Sequence, residues 1–210
     1  APVQVCRALA ADLPVLAENA RVTLLEAAWG LGLGVALALA LATLMHWVRP
    51  LYRALYPLLV ITQTIPTIAI APLLVLWMGF GMAPKVTLVA LTTFFPIAVS
   101  LLEGYASTDR AAAGLLRSMG ATRWQIFRHL EFPSALSHFF SGLRVSVSYA
   151  VVGAVISEWL GGFEGLGVYM TRVKKAYAFD KMFAVILVIV AVSLLLMALV
   201  TLLHRRACPW

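Results

Sequence analysis

Apolar runs longer than a bilayer is thick leave this chain little choice of fold. Crossing the hydrocarbon as a helix takes about 20 residues. Five runs meet that length: 22–46, 54–80, 84–106, 137–160 and 182–204. The chain is 62% hydrophobic and 12% charged, with a mean hydropathy of +0.95. A soluble fold of 210 residues has no interior large enough to hide that much apolar surface. The expected fold is an all-α polytopic membrane protein with about five transmembrane helices, forming a single membrane domain over 1–210.

The formal net charge of +7 does not point to nucleic acid. No RNA- or DNA-binding motif is present, and the basic residues flank the apolar runs, as in membrane proteins. The first nine residues lack the sustained apolar core of a cleavable signal. Cys6 and Cys208 are the only cysteines. An odd number of spans between them puts them on opposite faces, which rules out a disulfide within one chain.

Between the third and fourth runs lies DRAAAGLLRSMGATRWQIFRHLEFP, residues 109–133. It carries Arg110, Arg117, Arg123 and Arg128, with Leu116, Met119, Ile126, Phe127 and Leu130 at helical spacing. Gly120 separates two short amphipathic pieces, where a small residue permits a tight bend or a close partner. A plain connector needs neither this length nor this pattern. The segment reads as a knob that fits a groove on a soluble partner, and it is assigned to the cytoplasmic side. The N-terminal segment 1–21 and the loop 161–181, with Glu164, then lie outside, and Arg205–Trp210 lies inside. Charge bias supports this weakly: eight basic residues fall inside and seven outside, with the basic stretch 172–181 in tension.

Two spans carry polar signals. In the second, Pro66 removes the backbone bond to Thr62 and Pro72 the bond to Ile68. Gln63, Thr64 and Thr67 cluster at the first break. A broken helix at membrane depth is either a kink whose threonines satisfy the freed carbonyls or part of a substrate path. In the fourth, Gly142, Ser146, Tyr149, Gly153 and Ser157 form one stripe, facing a partner helix or a wet passage. Val147 and Val151 are expected to face lipid. Glu158 reads as a substrate contact, a gate or an interfacial residue; Trp159 beside it favours the headgroup level. Gln63, Thr64, Pro66, Thr67, the five stripe residues and Glu158 are the candidate translocation path. In the first span Gly30-Leu-Gly-Leu-Gly34 and the alanines after it suit close helix packing within the chain.

No catalytic constellation emerges. The phosphate-binding loop, H-E-x-x-H, C-x-x-C and G-x-S-x-G patterns are all missing, and His46, His129, His138 and His204 lack metal-ligand spacing. The glycine-rich Gly161–Gly167 has no following lysine and reads as a re-entrant turn or tight loop. The chain is therefore read as no enzyme, with no catalytic residue and no metal site.

Gly120, nine residues, then Leu130-Glu131-Phe132-Pro133 resembles the second half of the EAA signature of ABC-importer permeases, E-A-A-x-x-x-G-x(9)-I-x-L-P. Gly114-Leu115-Leu116 stand where that signature has E-A-A. The resemblance runs from about Leu24 to Arg206. TQTIPTIAIAPLLVLWMGFG, VGAVISEWLGG and EGLG are similar to the branch importing nitrate, sulfonates, taurine and vitamin precursors. Within it, LLRSMGATRWQIFRHLEFPSALSHFFSGLRVSVSYAVVGAVISEW is most similar to permeases for the pyrimidine precursor of thiamine, or for riboflavin. Members usually carry one further helix upstream, so the resemblance implies a trimmed N-terminus or a five-span variant.

The resemblance implies a type I importer permease in a bacterial inner membrane. It pairs with a second permease subunit, expected as a homodimer, and with two cytoplasmic ATPase subunits. An extracytoplasmic binding protein delivers the solute. ATP and Mg sit on the ATPase, and this chain holds no cofactor. Arg117–Phe127 is the implied coupling helix, with Arg117, Ser118, Met119, Gly120, Ala121, Arg123, Trp124, Phe127 and Pro133 as the docking set. The competing readings are a non-transporting membrane scaffold and a membrane enzyme; the polar stripe and the proline-broken span argue against the first.

Overall fold

A computed structural model describes residues 2–208; the sequence expectations for Ala1 and Trp210 lie outside them. Among the described residues ten α-helices follow in order: α1 (Pro2–Ala11), α2 (Leu13–Trp47), α3 (Arg49–Thr62), α4 (Thr67–Met78), α5 (Met82–Ala106), α6 (Arg110–Ser118), α7 (Arg123–Ile126), α8 (Phe132–Gly161), α9 (Leu166–Lys175) and α10 (Phe179–Ala207). One π-helical turn, Phe127–Glu131, joins α7 to α8. Helices α2, α5, α10 and the continuous Arg123–Gly161 rod are each long and apolar enough to cross a membrane.

The second predicted span is a bent pair rather than one helix. α3 and α4 meet at 99° across Gln63–Pro66. Pro66 has no N–H to give to Thr62 O, and threonine hydroxyls bond carbonyls of the last turn of α3 beside the break. Thr62 Oγ1 donates to Leu59 O at 2.7 Å, and Thr64 Oγ1 to Ile61 O at 2.8 Å. Pro72 lies inside α4, which continues through it without the bond to Ile68 O. The start of the first span also differs from expectation: α2 begins at Leu13, with Pro14 in its first turn, and residues 2–11 form a separate helix.

α5 is the axis of the bundle, held between α2 and α8, with α10 against α8. Small residues set both seams. Gly30, Gly34, Ala38 and Ala42 recur every fourth position on α2, and all are buried. A Cβ on Gly30 would run into Val89, and one on Gly34 into the Thr93 hydroxyl. On α8, a Cβ at Gly142 would press on Pro96 O and Ser100. Close approach of this kind replaces the hydrophobic driving force that helices lack in lipid. The largest apolar cluster, with Ala42, Met45, Ile97, Leu101, Phe127 and Ala135, locks the α6–α7 end of the bundle.

At the other end, Asp12 fastens α9 and α10 to the start of α2. Tyr169 Oη donates to Asp12 Oδ2 at 2.5 Å, and Lys181 Nζ pairs with the same oxygen at 2.8 Å. The Lys181 and Tyr169 hydrogen bonds hold the Asp12 carboxyl below its usual range. Burial and the Asp12 contact push the Tyr169 phenol up to about 12.

Candidate coupling surface and translocation cleft

Local rules build the loop. Asp109 caps α6 by accepting from Ala111 N at 2.8 Å. α6 then stops at Gly120, whose φ of +85° only glycine adopts cheaply. Gly120 N donates to Arg117 O and Ala121 N to Leu116 O, a Schellman ending. Thr122 starts α7 at once with a capping box: Gln125 N donates to Thr122 Oγ1, and Thr122 N to Gln125 Oε1. Arg117–Phe127 is thus two helices at a glycine turn, not the single coupling helix expected.

The two pieces have different duties. No residue of α6 is buried. Leu115, Met119 and Trp124 are 63%, 74% and 57% exposed, so the knob presents apolar side chains outward. α7 is anchored. Trp124 stacks on Phe127 at 5.7 Å, and Phe127 meets the Trp47 ring edge-on at 5.6 Å. Arg123 lies 4.9 Å over Trp47 and donates to Trp47 O at 3.0 Å. Glu131, in the π turn, bonds His46 Nε2 at 2.7 Å. The π turn itself follows from Pro133, which cannot donate to His129 O, so Phe132 N reaches back to Phe127 O. Of the expected docking set, Phe127 is buried and Pro133 half-buried. Arg117, Ser118, Met119, Gly120, Arg123 and Trp124 are exposed, and Ala121 is half-buried.

The candidate path residues divide into four places. Gln63, Thr67 and Tyr149 line one cleft of about 360 Å³, with Thr62 and Thr92, which sequence reading missed. Tyr149 is 50% exposed there. Thr64 and Pro66 sit exposed on the bend itself. Gly142, Ser146, Gly153 and Ser157 are buried in the α5–α8 seam. Ser146 Oγ donates to Thr93 O at 2.8 Å, and Ser157 Oγ to Ala154 O at 2.7 Å. Val147 and Val151, expected on lipid, are 1% and 0% exposed; Val145 and Val152 take the outward positions, at 49% and 48%. α8 is covered on more than one side, so the face opposite the stripe is interior too.

Glu158 occupies the fourth place, under the glycine-rich turn. It is 1% exposed rather than interfacial. Thr23 Oγ1 donates to its Oε1 at 2.6 Å, and Gly167 N to its Oε2 at 2.5 Å. The glycine-rich turn therefore wraps a carboxylate of its own chain. Gly165, with φ of +119°, has no room for a Cβ against that carboxyl. Leu166 N donates to Thr23 Oγ1, and Gly165 N to Asn19 Oδ1, both at 2.9 Å. One turn along α2, Glu26 pairs with Lys85 at 2.5 Å; both are buried.

Comparison with known proteins gives one answer. The chain is 40% identical to the formylaminopyrimidine transport permease protein ThiX of Halalkalibacterium halodurans over 188 residues, 90% of this chain and 75% of that protein. It is 35% identical over 163 residues to the riboflavin transport system permease protein RibX of Chloroflexus aurantiacus, covering 78% of this chain and 61% of that protein. A crystal structure of the MetNI methionine ABC transporter in an inward-facing conformation shares the fold. Its TM-score is 0.81 at 20% identity, over 93% of this chain and 97% of that one. Residues 30–207 match the model of the binding-protein-dependent transport system inner membrane component, and this chain is a multi-pass member of that family.

Proposed function

We propose that this permease carries an uncharged heterocyclic vitamin precursor, of the thiamine-pyrimidine class first and riboflavin second. One observation carries the choice within the family: the cleft between the α3–α4 bend and α8 offers an amide, hydroxyls and a phenol, but no charged side chain. Gln63, Thr62, Thr67 and Thr92 can exchange hydrogen bonds with ring nitrogens and amino groups, and Tyr149 presents a ring for stacking. Nitrate or a sulfonate entering there would shed water without meeting a cation, at a cost of several kcal/mol. That disfavours the nitrate, taurine and sulfonate branch. The 40% identity to a formylaminopyrimidine permease supports the same choice.

The working unit is a pair of these permeases with two ATPase subunits and an extracytoplasmic binding protein; ATP and Mg belong to the ATPase. The loop from α6 to α7 lies in the cytoplasm and α9 outside. Lys85, counted among the outer charges, is buried inside α5, which strengthens the inside bias of the remaining loop charges. ATP-driven movement of the ATPase acts on the exposed α6 knob. α7 passes it to α2 through Trp47 and to α8 through the π turn. The cleft then alternates between its two access states.

Proteoliposomes holding the permease, its ATPase and its binding protein test this. ATP-dependent accumulation of a labelled formylaminopyrimidine is expected, weakened by Tyr149→Ala or Gln63→Ala. Accumulation of taurine in its place contradicts the substrate class.

A further inference from the structure

At the α6–α7 end a cavity of about 960 Å³ opens between the bundle and the loop. Its wall carries Arg49 and Arg53 of α3, Arg110 and Arg117 of α6, and Arg123 of α7. The one carboxylate in the wall, Glu131, is already held by His46. Arg123 is held by Trp47. Arg49, Arg53, Arg110 and Arg117 have no acid, carbonyl or ring partner among the described residues. Four free guanidiniums converging on one space repel one another, and an anion between them removes that cost.

We infer that this cavity binds the phosphate of an anionic membrane lipid. Three observations choose lipid over a soluble anion or an acidic protein segment. The cavity lies where α2 and α5 end and α3 begins, the level at which a bilayer has its headgroups. Trp47, Tyr52 and Tyr105 line it, the aromatic types enriched at that level. Met45, Val48 and Leu102 give it apolar walls, and its volume far exceeds a phosphate ion. A glycerophosphate headgroup with the first carbons of its chains satisfies both the guanidiniums and those walls. Basic pockets between span ends are a known form of headgroup site. Because Arg110 and Arg117 reach the lipid from the loop while Arg49 and Arg53 reach it from α3, the lipid bridges the knob to the bundle.

The test reads lipid retention, which does not depend on the solute or on transport. The complete complex is placed in nanodiscs of mixed phosphatidylglycerol and phosphatidylcholine, then stripped in detergent and weighed by native mass spectrometry. Wild type is expected to keep phosphatidylglycerol and lose phosphatidylcholine. Arg49→Ala with Arg53→Ala should lower retention roughly thirtyfold, at about fivefold per arginine. Arg49→Lys with Arg53→Lys, which keeps the charge, should restore most of it. Equal retention of both lipids, or unchanged retention in the double alanine variant, overturns the inference. So does loss of the ATPase subunit from that variant with lipid retention unchanged, since the cavity would then seat an acidic face of the ATPase. Arginine-dependent binding of inorganic phosphate without any preference for phosphatidylglycerol overturns it as well.

Discussion

Lys85 is a cation buried beside Glu26, with Glu158 bound one turn away through Thr23. Buried pairs are poor sources of stability but costly to break, because the orphaned charge stays in the interior. Lys85→Met should therefore lower stability by about 3–5 kcal/mol, read as a drop in thermal or denaturant midpoint of the purified permease. A neutral change would mean water reaches the cluster. The residues of this cluster were visible in the sequence, but their burial was not. Trp159 next to Glu158 suggested the headgroup level, and nothing local reveals that the Gly167 N–H folds back onto the carboxylate. Gly120 was better marked. A glycine followed by Thr-x-x-Gln encodes a helix stop and a capping box within a few residues, and the structure contains both.

At the scale of helices, period told which residues share a face but not what the face meets. The stripe on α8 was legible as a stripe. Its small residues turned out to be the seat of α5, because glycine and serine let two backbones close up. Only Tyr149, the one large member, projects into the cleft. The break at Pro66 was equally legible, since a missing N–H is written in the sequence; its angle of 99° depends on how α4 packs against α5 and α8. Single cysteines replacing Tyr149 and Gln63 should react with a small soluble thiol reagent in the assembled transporter. Cysteines replacing Ser146 and Val147 should stay protected. Reaction at 146 together with protection at 149 would put the path through the α5–α8 seam instead.

For the molecule as a whole, length and hydropathy sufficed to give the class, because a bilayer demands long apolar helices; four helices reach spanning length and the expected second span is the bent α3–α4 pair. What no run of hydropathy contains is the division of labour in the loop. α6 stands free while α7 is tied to α2 by Trp47 and to α8 by the π turn, an arrangement set by side chains 76 residues apart. Its sidedness is open to direct measurement. On a background lacking Cys6 and Cys208, an impermeant thiol reagent added to intact cells should label position 164 and spare position 119. The central claim is that this loop converts the ATPase stroke into movement of the spans. The most direct measurement follows ATP hydrolysis and solute accumulation together in proteoliposomes carrying Gly120→Trp. That change distorts the turn between knob and anchor, and its side chain projects into open space, not the bundle. The account predicts a normally inserted permease with accumulation abolished and hydrolysis no longer stimulated by the loaded binding protein. Full, coupled accumulation by Gly120→Trp would contradict it.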